Sequence, residues 1–187
     1  MVLGPSGAGK GTVIDLALRS LPGVVTSVSA TTRAPRAGEV DGTHYRFLSP
    51  REFRRAADEG RFIEWADYGG NLYGTLRDEV EGKLGAGYDV ILEIDLQGAR
   101  AIRAAMPDAT LVFVAPPSLE ELGRRLRGRA TDAEAAIARR LEIARGELAA
   151  AHEFDEVIVN DDAKQAAARL VAIIAGRRAT EKRRKGD

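Results

Sequence analysis

Lys10 closes a glycine-rich run, Gly4-Pro5-Ser6-Gly7-Ala8-Gly9-Lys10-Gly11-Thr12, that follows an apolar stub (Met1, Val2, Leu3) and leads into an amphipathic stretch. That is the strand, loop and helix context of a phosphate-binding loop. Glycines let the backbone wrap an anion with its N–H groups turned inward, the helix N-terminus adds positive potential, and the lysine supplies a mobile charge. The chemistry to expect is binding of a nucleoside triphosphate. Gly11 stands where G-x-x-x-x-G-K-[ST] places a metal-touching hydroxyl, so Thr12 is left to hold Mg²⁺ through its own hydroxyl or through water.

A second group of residues suits a monophosphate. Arg33 and Arg36 lie three apart in a proline-interrupted loop, and two guanidinium forks beside the phenols Tyr45 and Tyr73 could share one dianion. The alternative is solvated arginines and packing tyrosines. Glu64 interrupts the apolar run Phe62-Ile63-Glu64-Trp65. By strand alternation it faces water, or else it accepts from two adjacent donors such as N1–H and the 2-amino group of guanine, which adenine lacks. Asp95 ends the strand-like run Val90-Ile91-Leu92-Glu93-Ile94, where a carboxylate either holds Mg²⁺ through water or caps the next helix. The role of Glu93 stays open.

The elements that must carry these residues alternate. Apolar strand-like runs at 24–28, 89–94, 110–114 and 156–159 are separated by helical patterns, which predicts an α/β fold with a parallel sheet flanked by helices. Ser49-Pro50-Arg51-Glu52 and Ser118-Leu119-Glu120-Glu121 have capping-box spacing and mark helix starts. Thr75-Leu76-Arg77-Asp78 offers a further cap. The polar segment from about 29 to 75, with strand-like pieces at 44–48 and 62–68, reads as an inserted substrate-binding subdomain; 124–140, crowded with arginines around Gly128-Arg129-Ala130-Thr131-Asp132, reads as a lid. The core is then 1–28, 76–123 and 141–178, followed by a basic tail, about 179–187, expected to fray.

Composition sets bounds on this scheme. With 187 residues and 44% apolar content, one domain with a mobile subdomain is the expectation. Basic and acidic residues balance at 28 each, so no overall field recruits nucleic acid or a membrane surface. The absence of cysteine excludes thiolate catalysis and fits a cytoplasmic setting; no run approaches membrane-spanning length. The stub before Gly4 is short for a buried first strand, which argues for a start upstream of Met1.

Taken in order, the phosphate loop, T-T-R-A-P-R-A-G-E at 31–39, G-T-H-Y-R-F at 42–47, F-I-E-W, Y-G-T at 73–75, I-D-L-Q-G at 94–98, A-P-P-S at 115–118 and V-I-V-N-D-D at 157–162 make the chain resemble guanylate kinases over nearly its whole length. The resemblance implies ATP and GMP as substrates, ADP and GDP as products, dGMP as a further acceptor, and Mg²⁺ with ATP. It implies that Ser29, Arg33, Arg36, Glu39, Tyr45, Glu64, Tyr73, Thr75 and Asp95 bind GMP, with Glu64 reading the base and Ser29 and Thr75 on the guanine O6 side. Asn160 matches the family's adenine contact; a strand-end turn is the other reading. Lys10, Arg125, Arg129 and Arg140 match the residues that act on the transferring phosphoryl group. Gly11 resembles the G-K-G-T loop of adenylate kinases, and Ala130 replaces the glycine usual in bacterial members. His44 and His152 are not needed.

Overall fold

The computed structural model describes residues 1–128 and 134–186. In chain order the first elements are β1 (Val2–Leu3), α1 (Lys10–Leu18), β2 (Val24–Thr26), β3 (Ala30–Thr31), β4 (Arg46–Phe47), α2 (Pro50–Asp58), β5 (Phe62–Tyr68) and β6 (Asn71–Leu76). They are followed by α3 (Arg77–Gly85), β7 (Asp89–Ile91), α4 (Leu96–Ala105), β8 (Val112–Ala115), α5 (Leu119–Gly128), α6 (Glu134–Ala149), β9 (Glu156–Val159) and α7 (Ala163–Lys185). The chain forms two compact units, one of Met1 with Gly23–Thr110, the other of Val2–Pro22 with the chain from Leu111 onward.

The second unit is built on a parallel sheet of order β1-β8-β9, in which Val2 pairs with Val112 and Val114 with Ile158. Its strands are apolar on both faces at the centre, since Leu3, Phe113, Val114 and Ile158 are all fully buried, as parallel strands flanked by helices must be. Leu122, Leu126, Ile137 and Ala144 close a further core between α5 and α6. Ser118 begins α5 by accepting from the Glu121 N–H at 3.1 Å.

The first unit carries two sheets. β2 and β7 pair in parallel; β4-β3-β6-β5 is mixed, with β3 and β6 antiparallel and β5 and β6 antiparallel. Phe53 of α2 stacks on Phe62 with ring centroids 4.4 Å apart, inside a core that includes Ala30, Ala56 and Leu76. The capping box at Ser49 forms in full: the Ser49 hydroxyl accepts from the Glu52 N–H, and the Glu52 carboxylate accepts from the Ser49 N–H. Thr75 does not cap α3; Leu76 holds the N-cap position without a side-chain bond, because the Thr75 hydroxyl is engaged elsewhere.

α7 runs to Lys185, so the basic segment from about 179 is helical, and Arg178 donates to the Pro22 carbonyl at 3.0 Å. No helix among the described residues is long and apolar enough to cross a membrane.

Candidate active site

In the second unit the loop after β1 takes positive φ at Gly4, Gly7 and Gly9. Gly9 is the left-handed N-cap of α1, and a Cβ there would also meet Asn160 Nδ2 at 2.4 Å. Both conditions require glycine. Asn160, 4% exposed, donates from Nδ2 to the Ala8 carbonyl at 2.7 Å. Arg125 donates from Nη1 to the same carbonyl at 3.4 Å, from Nη2 to Asn160 O at 3.0 Å and from Nε to Glu121 Oε1 at 2.8 Å. The bonds from Arg124 and Arg125 hold the Glu121 carboxyl down at about 2. Lys10 folds back, donating from Nζ to the carbonyls of Gly4 at 2.9 Å and Pro5 at 3.3 Å. With carbonyl 8 bonded beneath the loop, the N–H groups at the start of α1 are left to an anion, where the helix dipole favours it.

In the first unit Glu39 organises the arginine loop. Its carboxylate accepts from Arg33 Nη2 at 2.8 and 2.9 Å and from the Arg36 N–H at 2.7 Å. These bonds lower the Glu39 pKa, chiefly through Arg33, and raise that of Arg33, chiefly through Glu39. The Arg33 guanidinium lies 5.4 Å from the Tyr45 ring centroid, and Tyr45 meets Tyr73 edge-on at 6.1 Å. Burial, and less strongly Glu93, push the Tyr45 phenol up. Thr31 fixes the loop's root, accepting from the Arg33 N–H at 3.1 Å while its hydroxyl donates to Leu72 O at 3.0 Å. Arg33, Tyr45 and Tyr73 are thus brought together, donors that could serve a doubly charged oxyanion, and Arg36 is exposed.

Glu64 decides between the two readings of its strand. The β5–β6 register slips between Phe62 and Glu64, and Phe62, Glu64 and Ala66 all face inward while Trp65 is 51% exposed. Glu64 is 8% exposed and accepts from the Thr75 hydroxyl at 2.6 Å. Burial raises its pKa to about 6, partly offset by the Thr75 bond and reinforced by Asp95. Asp95 is the N-cap of α4, accepting on Oδ1 from the Gly98 N–H at 2.7 Å, so helix capping is a role it fills here. A buried, ionisable acceptor beside a second carboxylate suits a ligand that brings two donors.

A family model described as guanylate kinase matches residues 1–177. The chain belongs to the guanylate kinase family. It is 56% identical over 174 residues to a guanylate kinase of Rubrobacter xylanophilus, covering 93% of this chain and 91% of the relative. A guanylate kinase of Frankia casuarinae is 54% identical over 173 residues, covering 92% and 94%. The crystal structure of guanylate kinase from Anaplasma phagocytophilum superposes with a TM-score of 0.78 at 35% identity, covering 94% of this chain and 84% of that one.

The remaining residues expected at the family's site fall as follows. Ser29 lies half-buried between β2 and β3, its carbonyl accepting from the Arg46 N–H at 2.9 Å. Arg140 is half-buried on α6, Thr12 is exposed on the first turn of α1, and Arg129 lies outside the described residues. Arg124 and Arg127 pair with Glu121 and Glu134. Among the described residues no group of three or more acidic or histidine side chains is placed to hold a metal ion.

One cluster is not legible in the sequence. Glu79 of α3 accepts from the Val28 N–H at 3.1 Å, from Lys83, and from Arg46 at 3.4 Å, while Lys83 Nζ donates to Thr26 O at 2.7 Å. Burial opposes ionisation of Glu79, and these bonds together outweigh it. The cluster ties α3 to both chain segments flanking Ser29. An i,i+4 Glu-Lys pair is too common to single out.

Proposed function

We infer that the first unit reads GMP and the second holds ATP, in the ATP:GMP phosphotransfer of the guanylate kinase family. The carrying observation is Glu64, an ionisable carboxylate buried against Thr75 and Asp95. Guanine offers N1–H and a 2-amino group to it; adenine offers an acceptor at N1, which would leave the carboxylate unpaired. Arg33, Arg36, Tyr45 and Tyr73 take the GMP phosphate, with Glu39 holding the arginine loop in shape. dGMP is proposed as a further acceptor, as the family resemblance implies.

On the donor side the N–H groups of Gly7 and of residues 9–12, with Lys10, are proposed to cradle the triphosphate, the Ala8 N–H being donated to the Pro5 carbonyl at 3.0 Å. Thr12, exposed on the first turn of α1, is proposed to hold Mg²⁺ through its hydroxyl or through water, the ion taking its other oxygen ligands from phosphate and water. Bound with ATP, the ion neutralises phosphate charge. The acceptor phosphate is already a nucleophile, so this chain needs no general base; its residues align the reactants and spread charge. Arg125, Arg129 and Arg140 are proposed for the transferring group, which requires Arg125 to exchange its bonds to Ala8 and Asn160 for phosphate oxygens.

The test is ADP release by the purified protein with ATP and Mg²⁺ and GMP, AMP, UMP or CMP supplied separately. GDP from GMP alone is expected. Transfer to AMP at a comparable rate would remove Glu64 from base recognition, and no transfer to any nucleotide would overturn the assignment.

A further inference from the structure

We propose that Gly98 is a specificity-determining positioning residue: the side chain it lacks leaves the space in which the Glu64 carboxylate sits, while its N–H fixes Asp95. The proposal rests on the reading of guanine by Glu64 given above.

Gly98 is the third residue of α4, buried and in a backbone conformation that does not demand glycine. Alanine would be the better helix former there. What excludes a Cβ is local. It would lie 2.5 Å from Glu64 Oε2, 3.0 Å from Glu64 Cδ and 3.4 Å from Asp95 Oδ1. The three nearest atoms all belong to the two carboxyl side chains, and none is backbone. Gly74 makes the contrast, because a Cβ there would meet Phe62 Cδ1 and Trp65 Cβ at 2.8 Å and the Glu64 carbonyl at 2.9 Å. Gly74 is required by packing, whereas at Gly98 only the far end of one side chain would have to move.

That movement is cheap for the fold and costly for recognition. The Glu64 carboxylate is held on its other side by the Thr75 hydroxyl at 2.6 Å, so a methyl group at 98 pushes it off that bond and away from where two guanine donors would meet it. Gly98 also donates its N–H to Asp95 at 2.7 Å. One residue therefore sets the spacing of both carboxylates, through a hydrogen bond to one and an empty volume beside the other. Shortening Glu64 to aspartate removes the colliding atoms, which makes the two positions interdependent.

The experiment is a double-mutant cycle with Gly98→Ala, Glu64→Asp and the pair, read by calorimetric GMP binding, steady-state kinetics for each substrate and thermal unfolding. Gly98→Ala should raise the GMP Kd and KM about tenfold or more and cut GMP-over-AMP discrimination similarly. The ATP KM should stay within about twofold and the melting temperature within a few degrees. In the Glu64→Asp background the same change should cost less than about threefold. Equal costs in both backgrounds, unchanged GMP binding, or parallel loss of ATP and GMP binding with a lowered melting temperature would overturn the proposal. Should Gly98→Ala fail to fold, recovery of the fold in the pair supports the collision with Glu64, and an unfolded pair refutes it. If Glu64→Asp and Glu64→Gln themselves leave GMP discrimination unchanged, the base-reading assignment falls as well. If they abolish it while Gly98→Ala does not, only the role of Gly98 falls.

Discussion

The phosphate loop and the proposed guanine site would solve recognition in opposite ways. In the loop the ligand is to be met by backbone, and the side chains Asn160 and Arg125 work on the underside, bonding the Ala8 carbonyl so that N–H groups remain for an anion. In the pocket the ligand is to be met by side chains, and it is backbone, the Gly98 N–H, that works from behind on Asp95. Phosphates carry charge but little identity, so a ring of identical donors suffices; a base is identified by its donor pattern, so particular carboxylates are needed. The two regions should therefore fail differently when altered.

The sharpest contrast is Lys10→Ala, which should lower phosphoryl transfer by about three orders of magnitude while calorimetric GMP binding stays unchanged. Loss of GMP binding in that variant would erase the division of labour. Glu64→Gln should do the reverse, reducing kcat/KM for GMP by about a hundredfold with the ATP KM within about twofold. An equal loss for both nucleotides would mean that Glu64 is structural.

Asn160→Ala tests the underside of the loop. It should raise the ATP KM about tenfold and cost about 1–3 kcal/mol in denaturant unfolding, with GMP affinity intact. A variant whose ATP KM does not change would return Asn160 to a simple strand-end role.

The guanine pocket alone should respond to mild acid. The Glu64 pKa is raised to about 6, so the folded chain binds this proton more tightly than the unfolded chain does. As pH falls from above 6 to about 4.5 the unliganded fold gains about 2 kcal/mol from this group, and the gain is lost again as pH rises through 6. GMP binding, which uses the ionised form, should weaken up to about tenfold for each pH unit below 6. Glu64→Gln keeps the titration of the GMP phosphate and lacks that of Glu64, so the difference between the two pH profiles isolates the residue. Superimposable profiles would show that its ionisation does not matter.

The smallest effect is expected at Gly11, where a Cβ would meet nothing within 4 Å. Gly11→Ser should leave transfer within about threefold and stabilise α1 by about 0.5 kcal/mol. A large change in activity would show that the metal is sensitive to a hydroxyl at this position.

The sequence pointed unequally to these regions. The phosphate loop could be read directly, because glycine positions and a following lysine are the mechanism itself. β5 and β9 match the residues expected, Phe62–Tyr68 and Glu156–Val159, since each is a run of apolar residues long enough to register. β3, two residues long, gave no such run. Glu64 was undecided because hydrophobicity argues for Ile63 and Trp65 inside, whereas in the structure the carboxylate is buried and the tryptophan is 51% exposed. Thr75 had two uses open at once, a helix cap and a contact with the base; it does not cap α3, and its hydroxyl donates to Glu64 at 2.6 Å. The bonds of Arg125 to the carbonyls of Ala8 and Asn160 are a choice among hydrogen-bond partners that residue type does not encode.

The bond between Asn160 and Ala8 spans 152 positions, and β1 pairs with the distant β8 through Val2 and Val112. During synthesis the glycine-rich loop therefore precedes by a long stretch of chain the side chain that bonds its Ala8 carbonyl. Closing so long a segment comes late in folding. Nucleotide cannot act as an early template for this chain, and a ribosome stalled before residue 160 should display a complete glycine-rich motif that retains no ATP.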